Sequence, residues 1–148
     1  MRTNVYSGLL DVLSHNKKQK NKDSAFFEIA HVFSNQEGLS SENENIAFAY
    51  ATEEKKDFYA FKNKIEKIIN QITNTTISAQ TENISDYAGA LKYYINEECI
   101  GFCGLLREEK TALYDLENVF VAEFDCEKLF ALKKEKKLEK LFSRLYPV

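Results

Sequence analysis

Three cysteines, Cys99, Cys103 and Cys126, and two histidines, His15 and His31, are the residues of this 148-residue chain best suited to nucleophilic chemistry. A nucleophile of that kind needs a base beside it and donors facing the developing oxyanion. Three is an odd number and no C-x-x-C spacing pairs the thiols, so neither a disulfide framework nor a zinc site is indicated. All three are expected as reduced residues in the core or at its margin. His31 sits in an aromatic and β-branched run, where a buried or half-buried ring with its nitrogens satisfied is expected rather than a general base. The carboxylate pairs Glu53/Glu54, Glu97/Glu98 and Glu108/Glu109 are sequence neighbours, which point to different sides of a strand or helix and so form no acid and base dyad by spacing. A phosphate cradle would need a Gly-rich loop entering a helix, with Lys or Arg aimed at the anion. Gly101-Phe102-Cys103-Gly104 lies inside an apolar run instead, so its glycines are expected to mark a bulge or a close backbone contact. The residues by themselves point to no catalytic, cofactor or metal site.

The elements that would hold these residues can be read from periodicity. Residues 3–16 place Val5, Leu9, Leu10 and Leu13 at helical spacing, with Thr3 or Asn4 as N-cap and a lysine-rich end that suits the negative pole of the helix dipole. Residues 25–33 read as a strand with Phe27, Ile29, His31 and Phe33 on one face and Phe26, Glu28, Ala30 and Val32 on the other. Residues 34–45 are polar and read as a loop. A second strand follows over 46–52, where Phe48 and Tyr50 alternate with Ala47, Ala49 and Ala51, and the small face predicts a closely packed neighbour. The clearest helix carries Phe58, Phe61, Ile65, Ile68, Ile69 and Ile72 as one stripe behind Asp57 as N-cap, and should lie across a sheet. A short strand over 75–81 and a turn over 83–87 lead to a meander through 91–95, 100–106 and 119–124, with about two helical turns over 107–115. Residues 126–132 start a short helix, and 133–145 have helical spacing at Leu138, Leu141, Phe142 and Leu145 or form a tail. The sum is about six strands and three or four helices, an α+β fold with a mostly antiparallel sheet and helices packed against it.

Composition bounds the class. With 44% apolar residues, 11 Phe and 8 Tyr, the chain can build a core, and its length suits one domain, 1–148, in which 133–148 are a possible tail. No apolar run approaches the ~20 residues that span a bilayer, and no signal peptide is recognisable, so a cytoplasmic protein without membrane partners is expected. Net charge is −3, unevenly spread: residues 1–22 carry five Lys/Arg against one Asp, residues 127–148 seven against three acids, and the middle eight against nineteen. The basic ends, Lys133, Lys134, Lys136 and Lys137 above all, could face RNA, although such runs are commonly solvated surface.

Several segments, in order, resemble the beta subunit of bacterial phenylalanyl-tRNA synthetase, in its module that is similar to a class II synthetase core. The family pattern L-R-x-S-L-L-P-G-L-L-x-x-L-x-x-N is similar to residues 1–10 with Leu13 and Asn16, and L-F-E-I-G-x-V-F to Phe26-Phe27-Glu28-Ile29-Ala30-His31-Val32-Phe33. D-F-F-D-L-K-G is similar to Asp57-Phe58-Tyr59-Ala60-Phe61-Lys62-Asn63. H-P-G-R-S-A, x-I-G-x-I-G-E-L-H-P and V-x-x-F-E-L-D-L follow in register with 86–90, 99–106 and 119–125. Departures are the missing His-Pro before Gly89, Ala30 and Asn63 in place of Gly, and Leu106-Arg107 in place of Leu-His-Pro.

The resemblance implies a class II core-like fold and membership of a phenylalanine–tRNA ligase. In synthetases of this class ATP is held by an Arg on the second-motif strand and another in a Gly-rich third motif. The matching strand here keeps Glu28 and has no Arg, and no Gly-rich segment with an Arg follows Val119. That agrees with a catalytically silent beta-subunit module that supports the catalytic alpha subunit within a heterotetramer, with ATP, magnesium and tRNA handled by the whole enzyme and no cofactor in this chain. The stripe Val5, Leu9 and Leu13 is expected to contribute to an inter-subunit helix bundle, with the chain's own core as the alternative destination. The resemblance also implies that the module's leading stretch is missing and that residues 146–148 approach the next domain, so a fragment is expected. The alternative function is a free-standing RNA-binding or protein-interaction module.

Overall fold

The computed structural model describes residues 4–19, 23–36, 38–53, 58–74 and 77–130. Helix α1 (Tyr6–Lys18) leads to strands β1 (Ser24–Gln36) and β2 (Leu39–Thr52), then helix α2 (Phe58–Thr73) and strands β3 (Ser78–Thr81), β4 (Tyr87–Ile95) and β5 (Glu98–Leu106). A short helix α3 (Glu108–Ala112), strand β6 (Asn118–Asp125) and helix α4 (Cys126–Phe130) complete it. The strands form one six-stranded sheet in the order β1-β2-β6-β5-β4-β3, antiparallel at every junction. This is the expected α+β architecture. β6 takes a place between β2 and β5 because it is the strand with most to hide: Val119 to Phe124 are all buried, on both faces.

Each face of the sheet has its own core. On one, Ile46, Phe48, Ile100, Cys103, Ala122 and Phe124 meet Ile65, Ile68, Ile69 and Ile72 of α2. Burying such side chains is worth about 1.5–3 kcal/mol each, and the stripe read from the sequence is therefore what pins α2 down. Asp57, its expected cap, lies outside the described residues. At the other end Asn74 takes a left-handed φ of 53° and its N–H returns to the Asn70 carbonyl at 2.8 Å. On the opposite face Ala47, Ala49 and Ala51 make room for α1, whose Val5, Leu9, Leu10 and Leu13 sit in the same cluster. The alanine face thus admits a helix at close range, as its alternation predicted.

The structure corrects the loop expected over 34–45. β1 and β2 pair rung for rung out to Gln36↔Leu39, turning through Gly38 at φ +78°. β6 pairs with β2 only over 45–52, so the outer part of the ribbon has no third strand beside it. A two-stranded ribbon with no core beneath it needs no apolar alternation, which is why its sequence reads as loop. The helix after β5 is also shorter than two turns, ending at Ala112 before the chain leaves through Asp115 at φ 56°. The β4–β5 hairpin closes on Asn96 and Glu97, both at positive φ (49° and 68°), the conformation of a type I′ turn.

Candidate functional site

Among the described residues one carboxylate is buried in the sheet, and it belongs to Glu123, at 6% exposure. It stands on β6 in the run Val-Phe-Val-Ala-Glu-Phe, where the alternation turns it to the α1 side with Val119 and Val121. Its Oε1 accepts the N–H groups of Val5 at 2.8 Å and Tyr6 at 3.0 Å, and its Oε2 accepts the Asn45 amide at 2.8 Å. Asn4 Oδ1 accepts the Ser7 N–H at 3.0 Å, so one of the two expected caps is in place. The orphan donors at the start of α1 are thus answered from two directions, and Glu123 also meets the positive pole of the helix dipole. All three of its close partners are donors of the protein itself, and its work is to fasten helix to sheet. The far end of α1 is tied as well, by Ser14 Oγ donating to the Tyr114 carbonyl at 2.6 Å and Lys17 Nζ to that of Asp115 at 2.7 Å. A sequence signal for Glu123 existed, since a charge inside an otherwise apolar strand must find partners; which partners it finds depends on residues 78 to 118 positions away.

The cysteines behave as expected. Cys103 and Cys126 are buried and Cys99 is intermediate, all as free thiols. Burial, and after it the carboxylate of Glu66, pushes the Cys103 thiol up to about 12; burial, and then Glu44, does the same for Cys126. A nucleophilic cysteine requires the opposite shift. At pH 8 only on the order of one such thiol in ten thousand is ionised, so iodoacetamide should modify Cys99 alone in the folded chain, with Cys103 and Cys126 reacting only after denaturation. Mass spectrometry of the alkylated protein checks this, and rapid native labelling of Cys126 would contradict it.

His31 is a correction. Its side chain is 58% exposed, not buried, with Nδ1 at 2.9 Å from Glu42 and Nε2 at 3.8 Å from Glu44. It lies on the outward-reaching part of the ribbon, where the face it shares with Phe27 has left the core behind. His31 and Cys126 do line one surface recess, but both ring nitrogens face glutamates and the thiol is held neutral, so the pair lacks the arrangement of a thiolate and its base. His15 is exposed on α1, 3.3 Å from the Gln19 amide. Glu97, Glu98, Glu108 and Glu109 are all exposed, Glu97 in the β4–β5 turn, Glu98 at the start of β5 and the other two in the first turn of α3. Among the described residues no three His, Cys, Asp or Glu converge in a way that could hold a metal ion, and no helix is long and apolar enough to cross a membrane.

Gly101 and Gly104 are packing positions. A Cβ on Gly101 would overlap the Glu123 carbonyl oxygen and the Phe124 ring, and one on Gly104 would come within 2.6 Å of the Tyr87 ring. The β4–β5 register slips beside each of them, between Tyr87 and Gly89 and between Tyr93 and Tyr94. Of the residues expected at a subunit interface, Val5, Leu9 and Leu13 are 0%, 3% and 1% exposed and buried in the chain's own core. They are spent on the sheet because an alanine face lies beneath them; what α1 turns outward is Asp11, Val12, His15 and Lys18. Lys133, Lys134, Lys136 and Lys137 lie outside the described residues.

Two solved structures of pyrrolysyl-tRNA synthetase from Desulfitobacterium hafniense have the same fold as this chain. Their TM-scores are 0.69 and 0.67 at 10% identity, over 100% and 87% of this chain and 54% and 48% of theirs. The class II synthetase core fold implied by the sequence is therefore the fold observed. Among curated relatives, the phenylalanine–tRNA ligase beta subunit of Streptococcus pneumoniae serotype 4 is 28% identical over 84% of this chain, and that of Streptococcus agalactiae serotype Ia is 30% identical over 84%. The counterpart from Lactobacillus johnsonii is 25% identical over 89%. The chain spans only 18% of the length of each of these relatives. The family described as the phenylalanyl tRNA synthetase beta chain CLM domain matches residues 1–126. With that match over most of its length and the synthetase core fold beneath it, the chain belongs to the family of phenylalanyl-tRNA synthetase beta chain CLM domains.

Proposed function

We propose that the chain is a non-catalytic module of a phenylalanine–tRNA ligase beta subunit, which supports a catalytic alpha subunit in the ATP-dependent charging of tRNA with phenylalanine. The observation that carries this reading is how the middle of the sheet is occupied. Activating an amino acid with ATP requires cations aimed at the reacting phosphate, yet β1, β2 and β6 contain no Arg or Lys. Their inward positions are filled by Ile46, Phe48, Val119, Phe120, Val121 and Phe124, and the buried carboxylate of Glu123 is bonded to α1 and Asn45. A surface closed in this way contributes shape and support rather than chemistry.

Phenylalanine-dependent exchange of pyrophosphate into ATP by the purified chain tests it. The expected result is exchange at the level of the blank, together with co-elution of the chain with a phenylalanine–tRNA ligase alpha subunit. Exchange above the blank would overturn the non-catalytic reading. Salt-sensitive tRNA binding by the chain alone, weakened by neutralising Lys133, Lys134, Lys136 and Lys137, would favour the RNA-binding alternative instead.

A further inference from the structure

We draw no further inference here: the strongest candidate, the acidic recess between the outer β1–β2 ribbon and α4 lined by His31, Glu42, Glu44, Cys126 and Glu127, is a cluster of carboxylates gathered about the His31 ring, and nothing among the described residues points to a ligand that would fill it.

Discussion

Glu123→Ala is expected to lower the unfolding free energy by about 3 kcal/mol, because a buried donor stripped of its partner costs roughly 1–3 kcal/mol and this change strips several at once. The N–H groups of Val5 and Tyr6 and the amide of Asn45 would all face a cavity lined by apolar side chains. Domains of this size are stable by only about 5–15 kcal/mol, so the loss is a large fraction of the total. Glu123→Gln separates the causes. Its carbonyl oxygen still accepts the two backbone donors, and Asn45 can rotate to offer its own oxygen, leaving the lost charge at the helix terminus as the main deficit, about 1 kcal/mol. Urea unfolding measures both variants. Native-state hydrogen exchange adds a local readout, since the Val5 and Tyr6 amides should lose protection in the alanine variant before the central strands do. If the alanine variant unfolds within about 0.5 kcal/mol of the parent, below the usual effect of a lost buried partner, the fastening role assigned to Glu123 is wrong.

Gly101→Ala should be at least as damaging, for a steric reason. The added methyl has no room between the Glu123 carbonyl and the Phe124 ring, and neither can give way. The carbonyl belongs to the backbone of the central strand, and Phe124 is 1% exposed and stacked on Tyr93 with centroids 5.7 Å apart. Overpacking of this kind costs about 1–3 kcal/mol when side chains can adjust, and here the backbone itself must move, so about 3 kcal/mol or a failure to accumulate folded protein is expected. Gly89 provides the control on the neighbouring strand, since nothing lies within 4 Å of a Cβ placed there. Gly89→Ala should leave the midpoint of thermal unfolding nearly unchanged. Comparable losses at the two positions would mean that the clash at Gly101 is not what makes that glycine necessary.

The two glycines inside β5 were legible in part. That Gly101 and Gly104 were packing positions followed from their place inside an apolar run rather than before a helix. What they pack against, the central strand and the Tyr87 ring, came from pairings between strands distant in the chain. The isoleucine stripe of α2 and the alanine face of β2 were legible because a helix and a strand repeat their side chains at fixed periods. Half of β2 was not legible, because the outer ribbon has no core beneath it to impose a pattern. His31 was misplaced for a related reason: its neighbour Val32 is still in the core on the α1 side, but the face that His31 shares with Phe27 has run past the core by that position.

Amino-acid order by itself determined the α+β class, most of the elements, the placement of the three free thiols in the core or at its margin and the family, whose segments recur in sequence across the chain. Tertiary structure alone decided where the polar and apolar surplus went. Periodicity says that Val5, Leu9 and Leu13 form one stripe, and only the position of the alanine face shows that this stripe is consumed within the chain. It says equally that Glu123 is a charge among apolar neighbours, and only the docking of α1 supplies the donors that let it stay there. Local spacing fixes which side of an element is apolar, whereas what covers that side is set by contacts between residues up to 118 positions apart.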